Sequence, residues 1–320
     1  MAYTAPESLA STGAARTIPR ASWRKRFTGR SNERVGYLFI LPSFLHLLFF
    51  LVIPIGFSLY LSFRDWNGPQ FQDAPFIGLE NYRFLVGDTR FWQAMRNSAY
   101  YTLLAVPLGM AISLLIAVVM NQKLRGVYIF RTLFFMPVVS SWVAVSVIWI
   151  TLLDPSVGIV NYLLQLVGID TIYWLDDPRW AMPALVMISI WKGAGFSMVI
   201  WLAGLQAIPQ ELQEAAAIDG ATRWQSFWRI TLPLLAPTTF FLAITGVIGS
   251  FQVFAPMYVI TKGGPLDSTN VVVYEIYNRA FREFKMGYAA AQSWVLFAVI
   301  MIATFIQLWY MRRRGEQMLF

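Results

Sequence analysis

Few side chains in this 320-residue sequence are suited to catalysis. It contains no cysteine and a single histidine, His46, so neither a thiol nucleophile nor a cluster of cysteine and histidine metal ligands is expected. There is no Gly-x-x-x-x-Gly-Lys-Ser/Thr phosphate loop, which excludes ATP hydrolysis by that route. The run Gly195-Phe196-Ser197 is loosely similar to a serine-nucleophile turn, but no histidine stands at a plausible partner position. We therefore predict no catalytic residue, no metal ligand and no cofactor in this chain.

Solute binding is the chemistry that one lysine-containing apolar stretch does suggest. Ser189, Lys192, Gly193 and Phe196 follow the spacing i, i+3, i+4, i+7 and so share one face of a helix. A lysine within a membrane span costs about 3 kcal/mol unless it faces a cavity or a partner. The alternative is a seam between helices, in which Gly193 permits close approach and Lys192 reaches towards the interface. The spacing alone leaves both interpretations open.

The elements that must position these residues are membrane spans. Hydrophobic residues make up 57% of the chain, charged residues only 13%, and the mean hydropathy is +0.54, which is too apolar for a soluble domain. Six apolar stretches are long enough to cross a bilayer, which predicts an all-α integral membrane protein with both termini on one side. They lie at about 35–61, 98–120, 132–153, 180–203, 233–260 and 287–311. None of them contains Asp or Glu, which argues against a proton- or sodium-coupled carrier.

The distribution of positive charge orients these spans. The net charge is +8, and 15 of the 25 Lys and Arg residues fall in the arm 1–34, the loops 121–131 and 204–232, and the tail 312–320. Because positively charged loops stay in the cytoplasm, both termini and the loop 204–232 are predicted to be cytoplasmic. This topology explains the positive charge without a nucleic-acid partner.

The loop 204–232 is polar and reads as a bent helical elbow. Pro209 suits the first turn of a helix, and Gly220 is expected to end that helix. Thr222 followed by Gln225 is the signature of a capping box that starts the next helix, and Pro233 marks entry into the following span.

The elbow carries a recognisable motif. Glu214-Ala215-Ala216, Asp219-Gly220-Ala221, Leu232-Pro233 and Pro237 resemble the EAA loop of binding-protein-dependent ABC importer permeases, most closely the maltose-F-like and glycerol-phosphate group that takes up carbohydrates. The resemblance covers nearly the whole chain beyond residue 35. It implies the six-helix permease fold, a place in the bacterial inner membrane, and an elbow that serves as the coupling helix of a separate ATPase. The implied coupling residues are Glu214, Ala215, Ala216, Asp219, Gly220 and Ala221.

The same resemblance implies a set of solute-binding residues. Aligned with maltose-type permeases, the positions that line the sugar site are Ser189, Lys192, Gly193, Phe196, Gly246, Gly249, Ser250 and Val253. Asparagines of the maltose permease are replaced here by small or apolar residues, which argues against maltose itself.

The resemblance also implies an assembly. Its parts are a second permease, two ATP-binding subunits that hold ATP and magnesium, an extracytoplasmic solute-binding protein on the outer loops, and surrounding membrane lipid. The expected cargo is an oligosaccharide or a sugar-like solute. An anionic solute, such as a glycerol-phosphate compound or an acidic saccharide, and a passive pore that needs no ATPase are the alternatives.

Overall fold

The structure, a computed structural model, describes residues 30–68, 74–122 and 125–313, with side chains from residue 36 onward. Most of the predicted arm (1–29) and most of the tail (314–320) lie outside the described residues. The described residues form helices and turns without any β-strand, as the all-α prediction requires; the only pairings of strand type are two isolated bridges. The chain divides into two units after Phe57.

The first unit contains helix α1 (Arg30–Leu47), a π-helical turn (Leu48–Val52) and the start of helix α2 (Ile53–Ser62). These elements form a continuous apolar helical stretch, Gly36–Ser62, of 27 residues, which corresponds to the predicted span at 35–61. Most of its large apolar side chains are exposed, as expected for a helix that contacts lipid, while Leu61 near its end is buried.

The second unit is a bundle whose longest helices, α4 and α8, pack along each other, while α12 packs against both α4 and α14. Its helices are α3 (Glu80–Gly87), α4 (Thr89–Met120), α5 (Val127–Val139), α6 (Trp142–Leu152), α7 (Ile159–Leu166), α8 (Pro178–Gln206), α9 (Gln210–Ile218), α10 (Arg223–Ser226), α11 (Leu232–Leu234), α12 (Ala236–Phe251), α13 (Val272–Tyr277) and α14 (Met286–Arg313). The unit also contains three π-helical turns: Phe227–Thr231 follows α10, Met257–Thr261 lies between α12 and α13, and Asn278–Arg282 follows α13.

Local sequence explains where the two central helices begin. The Asp88 carboxylate accepts hydrogen bonds from the backbone N–H groups of Arg90 and Phe91, so α4 starts nine residues before the predicted span at 98. Asp177 caps α8 in the same way, and Pro178 occupies the first helical position, where a missing N–H costs nothing. Between the two helices, Trp201 is buried and its indole N–H donates to the Ser113 hydroxyl at 3.2 Å.

Two predicted spans are bent. The stretch predicted at 132–153 forms α5 and α6 at 101° to each other, because Pro137 removes a helical donor while Ser140 and Ser141 are extended, Ser141 capping α6. The stretch predicted at 233–260 breaks at Leu235 with a 63° bend and ends as an α-helix at Phe251.

Four described helices are long and apolar enough to cross a membrane. The two bent pairs bring the number to six, which is the predicted count, if each pair forms one span.

Candidate functional site

The elbow has the local structure that its sequence predicts. Helix α9 ends in a left-handed Gly220 with φ of +78°. The N–H of Ala221 bonds to the carbonyl of Ala216 at 2.9 Å, and that of Gly220 to Ala217 at 3.1 Å, which is a Schellman motif. The predicted capping box of Thr222 and Gln225 is present and opens α10. Pro209 precedes α9 as its N-cap instead of lying in its first turn.

A concave groove runs along the elbow and contains five of the six predicted coupling residues. It encloses about 570 Å³ and is lined by Leu212, Ala215, Ala216, Asp219, Gly220, Ala221, Gln225, Ser226, Arg229 and Ile230. Glu214 lies outside this lining, is exposed, and accepts a hydrogen bond from the Gln210 amide at 2.8 Å. Contact of these residues with an ATPase stays a prediction.

A second cavity of about 570 Å³ lies between α4, α8 and α12 and contains six of the eight predicted solute-binding positions. Those six are Ser189, Gly193, Gly246, Gly249, Ser250 and Val253. The rest of the wall is mostly aliphatic, with three aromatic rings, the Ser197 hydroxyl and the Gln252 amide, and none of the described residues that line it carries a charge.

The six positions differ in how much room they leave. A methyl group added to Gly193 or Gly249 would meet nothing within 4 Å, so these two glycines give the cavity its width. At Gly246 the same methyl would approach the Val106 side chain to 3.2 Å, so this glycine lets α12 lie close to α4. The buried Ser250 hydroxyl donates within the wall, to Thr102 at 2.9 Å or to a carbonyl of its own helix.

Lys192 and Phe196, the other two predicted positions, do not line the cavity. The cavity face of α8 runs through Ser189, Gly193 and Ser197, at i, i+4 and i+8, so its centre lies further round the helix than the predicted face. Lys192 is instead buried against the break between α5 and α6, while the Phe196 side chain is 54% exposed.

Three aromatic residues of the wall, Tyr101, Trp142 and Phe254, were not predicted from the sequence. For Trp142 a signal was present: Pro137 and the pair Ser140-Ser141 interrupt an apolar run, which indicates a break where the next side chain is redirected.

A buried ion network away from the cavity was also not predicted. Glu275 of α13 is fully buried, and its carboxylate lies 3.1 Å from Arg90 Nε and 2.8 Å from Arg279 Nε. Arg279 also pairs with Asp88 at 3.2 Å and with Glu283 at 2.8 Å. The network therefore ties the start of α4 to α13 and to the turn that follows it.

Electrostatic interactions favour the ionised form of two carboxylates of this network, Asp88 and Glu283. Burial acts to raise the pKa of Asp88, but hydrogen bonds from Tyr288 and from the N–H of Phe91, together with the Arg279 guanidinium, hold it below its usual value. Burial likewise opposes ionisation of Glu283, and hydrogen bonds from Arg279 and Lys285 lower its pKa overall.

Long apolar helices, a polar elbow and a cavity within the bundle define the chain as a membrane transport subunit. The family model described as "Binding-protein-dependent transport system inner membrane component" matches residues 105–315. The chain belongs to this family and is an ABC importer permease, a multi-pass protein of the inner membrane in bacteria and not an enzyme.

Individual relatives agree with this assignment. The probable ABC transporter permease protein YesP of Bacillus subtilis (strain 168) is 41% identical over 282 residues, which cover 87% of this chain and 90% of YesP. The lactose transport system permease protein LacF of Rhizobium radiobacter is 36% identical over 285 residues, covering 87% and 94% of the two chains.

A solved relative extends the agreement to the fold. A chain of a bacterial ABC transporter that imports the acidic polysaccharide alginate superimposes with a TM-score of 0.78 at 27% identity, covering 91% of this chain and 98% of that one.

Proposed function

We propose that this chain is a permease through which a carbohydrate crosses the membrane by alternating access, driven by separate ATPase subunits. Two relatives support the cargo class: LacF is named for lactose transport, and the superimposed transporter imports alginate. The solute would pass through the cavity between α4, α8 and α12.

The chemistry of the cavity wall carries this proposal. Aromatic rings such as Tyr101 and Trp142 offer flat apolar faces for a sugar ring, and Ser197 and Gln252 offer groups that hydrogen-bond to hydroxyls. Because the described lining residues are uncharged, this chain's share of the site suits a neutral saccharide better than an anionic one.

A blocking variant tests the cavity. The chain is co-expressed with its second permease, ATP-binding subunits and binding protein, and ATP-dependent uptake of labelled lactose and of labelled alginate oligosaccharide is measured. Gly249→Trp should abolish uptake of whichever sugar is carried, since position 249 opens on the cavity. Gly56→Trp, on the exposed first helical stretch, is the matched control and should not. Normal uptake in an assembled Gly249→Trp complex would contradict the proposed path.

The same assay distinguishes the alternatives. Preferred uptake of the alginate oligosaccharide or of sn-glycerol 3-phosphate would indicate an anionic cargo, a possibility that the alginate transporter keeps open. Uptake without ATP or ATPase would indicate a passive pore.

The elbow groove is our proposed contact with one of two ATP-binding subunits, which would hold ATP and magnesium. The groove is concave and has both polar and apolar lining residues, and two exposed rings follow in the chain: Trp224 of α10 (69% exposed) and Trp228 of the turn after it (50%). Glu214→Lys reverses a charge on exposed α9, so we expect the ATP-binding subunits to be lost on size-exclusion chromatography. Gln213→Lys, at an exposed position outside the groove lining, is the control and should assemble normally. Intact assembly of Glu214→Lys would count against the contact.

A solute-binding protein and a second permease complete the proposed assembly. The alginate transporter was also solved in complex with a periplasmic protein that holds an alginate pentasaccharide. A chain of that complex superimposes on this chain with a TM-score of 0.79. By analogy, a binding protein would deliver solute at the loops opposite the elbow.

A further inference from the structure

The ammonium group of Lys192 has all of its donors engaged. Lys192 Nζ lies 3.0 Å from the carbonyl oxygen of Pro137, 3.2 Å from that of Val138 and 2.9 Å from that of Ser140. An ammonium has three N–H donors, so this arrangement leaves none for a solute. The side chain is also buried, with 7% of its surface exposed.

The three carbonyls belong to the break between α5 and α6. Pro137 and Val138 lie in the last turn of α5, at the negative end of the helix dipole. The Pro137 carbonyl accepts one backbone bond there, a 3.3 Å contact from the N–H of Ser140, so it retains capacity for the ammonium. Ser140 is in the extended link before α6. A buried cation satisfies these oxygens where water is scarce, and so stabilises a 101° bend within an otherwise apolar segment.

The backbone packing around the break leaves little freedom. A methyl group added to Gly195, one turn after Lys192, would fall on the backbone carbonyl of Phe134 and come within 2.9 Å of the Cα of Phe135. Helix α5 therefore lies directly against α8, and Lys192 reaches its carbonyls from a fixed position.

The same ammonium also faces a ring of the solute cavity. Lys192 Nζ lies 5.1 Å from the centroid of the Trp142 ring, within the range of a cation–π interaction. Trp142 is the first residue of α6, it lines the cavity, and it packs against the apolar cluster that includes Ile188 of α8.

We propose that Lys192 is a positioning residue that fixes the α5–α6 break and, through Trp142, sets the shape of the solute cavity without touching the solute. Trp142 is then a specificity-determining residue, because its ring occupies a part of the cavity wall that would otherwise be free to move. That the cavity admits a solute at all rests on the proposed function, whereas the link between Lys192 and Trp142 does not.

A labelling experiment tests this link without any solute. The natural chain has no cysteine, so Gly249→Cys places a single thiol on the cavity wall of the assembled complex, at a site with room for it. The rate of its reaction with N-ethylmaleimide reports access to the cavity. We expect Lys192→Met to change this rate by about tenfold. A tenfold change corresponds to ~1.4 kcal/mol in the free-energy difference between ring positions of Trp142 that cover the thiol and positions that expose it.

Matched variants separate this role from a general loss of stability. Arg131→Met also removes a cation that bonds to the end of a helix, because the Arg131 guanidinium donates to the Met120 carbonyl at 2.7 Å. Arg131, however, lies outside the cavity lining. It should leave the labelling rate unchanged. Trp142→Ala should change the rate on its own, and Lys192→Met should add nothing in that background, since the lysine acts through the ring.

Three outcomes would overturn the proposal: equal rates in Lys192→Met and in the parent, equal effects of Lys192→Met and Arg131→Met, or an undiminished effect of Lys192→Met in the Trp142→Ala background. If Lys192→Met does not assemble, Lys192→Gln replaces it, because an amide keeps two donors for the carbonyls while removing the charge facing Trp142. Its rate is expected to change in the same direction, and a rate equal to the parent's would likewise overturn the proposal.

Discussion

Replacing Glu275 by glutamine tests the buried ion network that ties α4 to α13. The substitution keeps the shape of the side chain and its contact with Asn270, but leaves Arg90 and Arg279 facing a neutral amide. Removing one partner of a buried ion pair costs about 3–5 kcal/mol. Arg279 keeps Asp88 and Glu283 as partners, so the lower end of that range, about 3 kcal/mol, applies here.

The assay is the thermal midpoint of the detergent-purified complex, followed by the loss of its size-exclusion peak after heating. The shift of a midpoint per kcal/mol falls with chain length and is about 1.5 °C per kcal/mol for 320 residues, so we expect a decrease on the order of 5 °C.

The control is an exposed ion pair of the same chain. Arg179 pairs with Asp177 at 2.9 Å, but the Arg179 side chain is 86% exposed. Arg179→Gln should therefore leave the midpoint unchanged, because solvent screens exposed pairs. Equal midpoints for Glu275→Gln and Arg179→Gln would refute the reasoning, because the buried network would then contribute no net stability.

Three further predictions concern local geometry and charge. Gly220→Pro should abolish ATP-driven uptake while the chain still inserts, since φ of +78° excludes proline; normal uptake and ATPase recruitment would contradict the role of the elbow. Gly195→Ala should prevent assembly of the complex, because its methyl group would fall on the Phe134 carbonyl. Gly193→Ala should assemble normally, and size-exclusion chromatography of both variants tests the difference. Because the pKa of Asp88 is lowered, its stabilisation is present at neutral pH and is lost as the pH falls from about 4 through the lowered value. Asp88→Asn should flatten that part of the profile of thermal midpoint against pH, and an unchanged slope would refute the assignment.

The elbow could be predicted from sequence because its structure depends on neighbours in the chain. A glycine adopts positive φ readily. A threonine followed three residues later by glutamine forms a capping box, in which each side chain bonds to the backbone N–H of the other residue. Gly220, Thr222 and Gln225 accordingly occupy the positions that the sequence predicts. The four long apolar helices follow equally from the local density of apolar side chains.

The lining of the cavity between α4, α8 and α12 was predicted only in part. Helical spacing and resemblance could place the small residues of α8 and α12, and five of them share one wall with Val253, which follows α12. The rotation of α8 about its own axis could not be predicted, because packing against α4 and α5 sets it. That rotation moves Lys192 from the predicted lining face to the break at Pro137.

Sequence alone thus determined the class of the chain, through its composition and its motif. It also determined the long apolar helices and the local geometry of the elbow, which arise from interactions within a few residues. Tertiary structure decided where the charged groups find partners. Lys192 bonds to carbonyls 52–55 residues away, and Arg279 reaches Asp88 across 191 residues. No periodicity encodes such pairings, because they depend on which helix faces meet once the bundle has packed and a buried charge must find its counterpart there.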